Sequence, residues 1–351
     1  MKSLVWMGPR RLEIQERPEP ELAKGEVLLQ VAVVGICGSD LSGYLGENSL
    51  CRPPLIMGHE FTGMVVATAG DVKAWKSGQV VTVNPLLSCN RCQFCRQGMR
   101  QLCANRSIVG IHRPGAFAEY LTVPASACHP VRNAIQGALV EPLACAVRAN
   151  IQAKIQSTET LLVFGAGIIG LMSLRVAQEM GASRRIVVDP NPVRLEKAQW
   201  WGATDMLDPT HDKVTDEVRR LCPEGVDSVI DAVGLPQTRQ DSIAVLRPGG
   251  CVVFIGLHLD ETTIPGNHIV RQEIEIRGSF CYTDDNFQQA LHLLENERVV
   301  PDASWLDIRP LEEGKQAFDE QIDGPATFPK ILLHVRESLK GGQHEDHTGT
   351  L

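Results

Sequence analysis

Residues 161–170 read LLVFGAGIIG and residues 185–192 read RIVVDPNP, and these two stretches decide the fold. The apolar run Leu161 to Phe164 predicts a strand, and Gly165, Gly167 and Gly170 then space as G-x-G-x-x-G around Ala166, Ile168 and Ile169. A helix pattern follows from Gly167 to Met180. In that setting the first glycine admits a tight turn, the second lets a pyrophosphate approach the backbone, and the third lets helix and strand pack closely. The unpaired N–H groups of the helix N-terminus face the phosphates. A second strand, Arg185 to Val188, ends at Asp189, about 20 residues past the turn, where a carboxylate can accept hydrogen bonds from the adenosine ribose. Gly165, Gly167, Ile168, Ile169, Gly170 and Asp189 are therefore expected to bind a dinucleotide. The acid favours NAD(H), because a 2′-phosphate would set negative charge against it; the other reading of Asp189 is a helix-capping or loop acid. Arg194 could flank the adenine, hold a 2′-phosphate or stand as a surface helix residue.

The pattern extends outward from there. Asn191 caps a helix with Pro192 at its first position, and Gly202 closes it. Strands are expected at Ser228 to Ile230, Val252 to Ile255 and Glu273 to Ile276, separated by helix patterns or by the turn Pro248-Gly249-Gly250. Strands alternating with amphipathic helices from Glu159 onward predict an α/β fold with a doubly wound, six-stranded parallel sheet of the Rossmann kind. Before Asn150 the runs Val27 to Val34, Gly63 to Ala67 and Val80 to Val83, broken by Gly and Pro, read instead as short strands with long loops. Past Asp285 come a helix over Phe287 to Leu294, Pro-rich loops, and a strand from Lys330 to Val335 that should return to the first region. At 351 residues one core is unlikely to serve the whole chain. The expected division is 1–150, 151–284 and 285–336, with a polar, disordered tail over 337–351.

Composition narrows the partners. A net charge of −8 with no run of Lys or Arg argues against nucleic acid. No stretch approaches the roughly 18 apolar residues of a membrane span, and the first ten residues lack a secretory apolar run, so a cytoplasmic protein is expected. Eleven Cys is an odd count, and four of them crowd together, which suits metal thiolates in a reducing compartment better than disulfides. Those four, Cys89, Cys92, Cys95 and Cys103, are spaced C-x2-C-x2-C-x7-C, enough to close a tetrahedral Zn²⁺ shell with no open position. A closed shell is structural. An iron–sulfur cluster also takes four thiolates, but its usual run places the last Cys after three residues and before Pro.

Three further stretches complete the picture: Gly35-Ile36-Cys37-Gly38-Ser39-Asp40, Gly58-His59-Glu60 and Glu141-Pro142-Leu143-Ala144. With the four-cysteine lobe and the glycine turn, in collinear order over nearly the whole chain, they resemble the zinc-containing medium-chain dehydrogenases, and most of all their polyol branch. The resemblance implies a GroES-like, β-rich catalytic domain interrupted by the Rossmann domain, with the active site between them. It implies two zinc ions per chain: a structural one in the lobe, and a catalytic one held by Cys37 and His59, with Glu60 as a direct or intermittent third ligand. Glu141 stands where alcohol dehydrogenases place a second Cys and, in the polyol branch, lies against the metal-bound water. Ser39 is placed to take the hydroxyl proton. The reaction implied is reversible hydride transfer from a secondary hydroxyl of a polyol, a sugar alcohol with or without a phosphate, or a vicinal diol to NAD, giving a ketone. L-Threonine or a simple secondary alcohol is the alternative within the class, and an idle zinc and dinucleotide binder the alternative outside it. A homodimer or homotetramer paired through the edge of the Rossmann sheet is implied too.

The chain also departs from its relatives. Many sorbitol and threonine dehydrogenases carry a His five residues after the zinc Cys, where this chain has Ser42. Galactitol-1-phosphate dehydrogenases resemble it in lacking that His. Where sorbitol dehydrogenases have Phe-Arg-Tyr in the sugar pocket, this chain reads Phe280-Cys281-Tyr282. His112 and Arg113 could supply positive charge to a substrate phosphate or be solvated loop charges.

Overall fold

The computed structural model describes residues 1–300, 305–325 and 327–335, so the tail expected over 337–351 lies outside the described residues. The strand Glu26–Gly35 organises the first region. One of its edges pairs antiparallel with Glu60–Thr68. The other edge pairs with Tyr120–Pro124 near its start and with Lys330–His334 at its end. Val80–Val83, Cys128–Pro130 and Leu306–Pro310 complete a seven-stranded sheet. A smaller sheet of Arg11–Glu16, Lys2–Gly8 and Leu55–Ile56 stands apart from it. The register of the large sheet sets Gly35 opposite Glu60, which brings the segments carrying Cys37 and His59 side by side.

Thr160–Phe164, Arg184–Val188, Asp205–Leu207, Val226–Asp231, Leu246–Phe254 and Glu275–Gly278 form the parallel sheet expected from the sequence. Counted in chain order, they lie in the spatial order 3-2-1-4-5-6. The winding direction reverses between the first and fourth strands, and their carboxyl ends open a crevice there. Leu161 and Val163 enter one apolar cluster while Leu162 and Phe164 enter another, so the sheet is buried on both faces.

Several elements differ from the sequence reading. The third strand, Asp205–Leu207, gives no apolar run because Asp205 is its first residue, half-buried and bound to Arg184. The Pro248-Gly249-Gly250 turn does not separate strands. Leu246–Phe254 runs through it as a bulge, with Leu246 paired to Val226 and Cys251 already paired to Ser228. The sixth strand starts two residues late because Glu273, at φ 50°, is the left-handed cap of the helix Gly266–Gln272. The Pro-rich stretch after residue 300 holds a helix, Gly314–Asp323, whose Ala317 and Phe318 are buried in the core of the first region.

The helix Val140–Gln152 links the two regions. It packs on Ile168–Glu179 and Asp284–Glu295, and it shares an apolar cluster with Val33 and Leu332 of the large sheet. Pro142 is tolerated in its first turn, where a backbone N–H has no helical partner. That turn delivers Glu141 to the junction. No helix among the described residues is long and apolar enough to cross a membrane.

Candidate active site

Cys37, His59 and Glu60 offer a sulfur, a nitrogen and an oxygen that all lie within 4.8 Å of one another. Their approach follows from the sheet, since the strand ending at Gly35 and the strand beginning at Glu60 are directly paired. Asp40 holds the cluster together. It is buried, accepts from the Cys37 amide at 3.0 Å and from the Gly58 amide at 3.4 Å, and stands 3.5 Å from His59 Nδ1. A carboxylate behind Nδ1 orients the ring and leaves Nε2 for a metal, the usual outer support of a ligating histidine. Burial alone would push His59 down, but the Asp40 and Cys37 charges outweigh it and hold the imidazolium well above its ordinary range. Ser39 Oγ lies 3.4 Å from His59 Nε2, so the hydroxyl is at the cluster.

Glu60 has a second partner that the sequence did not announce. Lys330 Nζ donates to Glu60 Oε2 and, at 2.8 Å, to the Ile36 carbonyl. Both side chains are 1% exposed. Gly35 makes room for the pair: a Cβ there would meet Glu60 Oε2 at 2.4 Å and Lys330 Cε at 2.8 Å. Lysine at the head of an apolar strand, Lys330–His334, is the one sequence signal that could have pointed to it.

Glu141 is buried nearby. Burial pushes its carboxyl up to about 7, with the His59 charge pulling it down and the Glu60 charge pushing it up. The buried Tyr282 hydroxyl stands by the Glu141 carboxylate, and burial and the Glu141 charge hold it protonated well above the usual phenol range. A soft sulfur, an oriented imidazole and nearby carboxylates form a mixed donor set of the kind that catalytic zinc sites use, unlike an all-thiolate structural shell.

The lobe is the opposite case. The sulfurs of Cys89, Cys92, Cys95 and Cys103 all lie within 4.8 Å of one another, with Cys92 to Cys95 at 3.4 Å and Cys89 to Cys95 at 3.9 Å. Tetrahedral Zn–S bonds give sulfur separations of about 3.8 Å. All eleven cysteines are free. Backbone N–H groups of Arg91 and Cys92 draw the Cys89 thiol down to about 6, which favours the thiolate a metal needs.

At the crevice each glycine has a distinct job. Gly165 is left-handed at φ 95°, a Cβ on Gly167 would meet nothing within 4 Å, and a Cβ on Gly170 would sit 1.8 Å from the Gly165 carbonyl oxygen. Open space before Gly167 at the head of the helix Ile168–Glu179 is room for a phosphate. Asp189 accepts from the Ala166 amide at 2.7 Å and the Asn191 amide at 2.8 Å, tying the second strand to the glycine turn. Each carboxylate oxygen keeps a further lone pair for a ribose hydroxyl. Arg194 follows in the first turn of the helix Pro192–Trp200, which Asn191 caps.

His112 and Arg113 do not join this site. Arg113 pairs with Glu26 at 2.9 Å and donates to the Thr122 carbonyl, and His112 Nδ1 accepts from the Ile108 amide. Both line a cavity of about 810 Å³ whose walls include none of the metal-ligating candidates.

The chain matches the zinc-binding dehydrogenase model over residues 169–296 and the alcohol dehydrogenase GroES-like domain over residues 23–133. It is 32% identical over 332 residues to the D-xylulose reductase A of Aspergillus niger, covering 91% of this chain and 92% of that protein. The chain belongs to the zinc-binding alcohol dehydrogenase family. Among solved members, galactitol-1-phosphate dehydrogenase from Escherichia coli is 25% identical with a TM-score of 0.88, over 95% of this chain and 100% of that one. A zinc-binding dehydrogenase from Sinorhizobium meliloti 1021, solved with NADP bound, is 29% identical with a TM-score of 0.88, over 95% and 98%. The family works with zinc and a nicotinamide cofactor, and the residues of this chain fit both.

Proposed function

We propose that this zinc-binding dehydrogenase oxidises a secondary hydroxyl of a polyol, sugar alcohol or vicinal diol to a ketone, reversibly. The observation that carries the reading is the Cys37, His59 and Glu60 cluster beside the buried Glu141, with the pairing of two strands bringing the ligands together. A carboxylate in place of a second thiolate hardens the metal site and makes it more polar, which suits a hydroxyl-rich substrate. The xylulose reductase and galactitol-1-phosphate dehydrogenase relatives support that substrate class.

Cys37, His59 and Glu60 would hold the catalytic zinc, with Glu141 facing its open side, and the four lobe cysteines would hold a second, structural zinc. When bound, the metal would acidify the substrate hydroxyl and the nicotinamide would accept its hydride. Ser39 takes the released proton at the cluster and hands it toward solvent, a relay that runs without the histidine replaced by Ser42. Asp40 keeps the imidazole in one orientation throughout. Asp189 favours NAD over NADP by charge, and Arg194 flanks the adenine. The strand Glu275–Gly278 is an edge of the parallel sheet, and pairing of that edge with a second copy supports a homodimer or homotetramer.

The test is reduced-cofactor formation at 340 nm with NAD or NADP on sorbitol, xylitol, galactitol 1-phosphate, 2,3-butanediol, threonine and 2-propanol, with and without a zinc chelator. Turnover of polyols abolished by chelation is expected. Turnover only of threonine or 2-propanol would overturn the substrate class. Elemental analysis should find two zincs in the native protein and one in Cys37→Ala, and an unchanged count would remove Cys37 from the ligand set.

A further inference from the structure

One cation near the catalytic cluster belongs to neither the metal sites nor the dinucleotide turn. Arg106 follows the lobe by three residues and is half-buried, its guanidinium stacked over the Phe280 ring at 4.9 Å from the centroid. Its Nη1 donates to the Cys103 carbonyl at 3.3 Å. No carboxylate among the described residues forms an ion pair with it, whereas Arg113, Arg184, Arg247 and Arg309 all have one. A guanidinium set over an aromatic ring is shielded from water on that side, and the N–H donors not spent on the Cys103 carbonyl can bind a planar or tetrahedral anion.

The ring beneath it leads straight to the site. Phe280 precedes Cys281, held at φ 47°, and the buried Tyr282 beside Glu141. The Cys281 thiol is pushed up to about 12 by burial and by the Glu141 charge, and is drawn back by the charges of His59 and Arg106. The charges of Arg106, His59 and Glu141 are all felt at this one half-buried thiol, next in the chain to the ring under Arg106. The lobe has a second consequence in this arrangement: closing it around a metal fixes the carbonyl of Cys103, which in turn fixes Arg106.

Resting on the reading of a polyol dehydrogenase, we propose that Arg106 determines substrate specificity by binding an anionic group, a phosphate or a carboxylate, on the polyol remote from the carbon that is oxidised. The preferred substrate is then an anionic sugar alcohol rather than a neutral one.

The test uses the zinc-loaded protein with galactitol 1-phosphate and L-idonate as anionic probes and galactitol and L-iditol as their neutral counterparts. Arg106→Gln is expected to lower kcat/KM for at least one anionic probe by about 10–100-fold, mostly through KM, as loss of a charge-assisted contact would. Neutral probes should change by less than about threefold, and Arg106→Lys should recover part of the loss. The phosphate and carboxylate arms tell the two anions apart. Calorimetric titration of the same anions into native and Arg106→Gln protein gives a readout independent of turnover, with at least a tenfold weaker Kd expected in the variant. If no polyol is oxidised but anion binding is lost in the variant, the dehydrogenase substrate reading fails and the anion site stands. Equal losses on neutral and anionic probes, loss of the lobe zinc in the variant, or no anion binding by the native protein would each overturn the proposal.

Discussion

Replacing Lys330 with Met tests what the buried Lys330–Glu60 ion pair contributes at the heart of the site. Met retains most of the packed methylenes and removes the cation, leaving Glu60 buried with its ammonium partner gone. Breaking a buried ion pair from one side costs about 3–5 kcal/mol, because the remaining charge has neither water nor partner. At about 2 °C per kcal/mol for a chain of this size, the chelated variant should melt about 6–10 °C below the chelated native protein by scanning calorimetry at fixed rate. Zinc loading should shrink that gap, because the metal supplies Glu60 with a second cation. In a Glu60→Gln background, Lys330→Met should cost far less, the difference being the coupling energy of the pair. A melting shift under about 2 °C in the chelated protein, or the same shift in both backgrounds, would refute the claim that this pair stabilises the site.

The glycine turn gives a contrasting pair of variants. Gly170→Ala drives a Cβ into the Gly165 carbonyl and should lower stability by several kcal/mol, whereas Gly167→Ala should fold normally yet weaken NADH binding at least tenfold by fluorescence titration; normal folding of both with unchanged binding would contradict these roles. Asp189→Ala should narrow the preference for NAD over NADP, measured as the ratio of kcat/KM values, and also loosen the turn through loss of the Ala166 contact; an unaltered ratio removes Asp189 from the ribose. Cys103→Ala should lose one zinc and melt several degrees lower while keeping the metal at Cys37, and retention of both ions would show that the lobe does not close around a metal.

The parts readable in the sequence are those whose chemistry is local. Three glycines within six residues specify a backbone shape whatever surrounds them, and Gly165, Gly167 and Gly170 each meet a separate steric demand in the fold. The four lobe cysteines fall within fifteen residues, so their sulfurs converge without help from distant elements. Asn191 and Pro192 start a helix for reasons contained in one turn. Cys37, His59 and Glu141 entered through resemblance, because nothing local to any one of them says that it meets the others. The tertiary structure decided the rest. Strand pairing across the large sheet sets Glu60 beside Gly35, and the returning strand brings Lys330 to Glu60 across 270 residues. Asp40 had no role of its own in the sequence reading until the fold placed it behind His59. Asp205–Leu207 was missed because it is short and opens on a charged residue, and Gly314–Asp323 because its few apolar residues find their partners in elements far away in the chain. His112 and Arg113 looked free for a phosphate, but Arg113 has Glu26 as its partner, and the cation stacked beside the cleft is Arg106. Local backbone geometry and ligand spacing are written in adjacent residues, while the compensation of a buried charge depends on which distant group the fold sets against it.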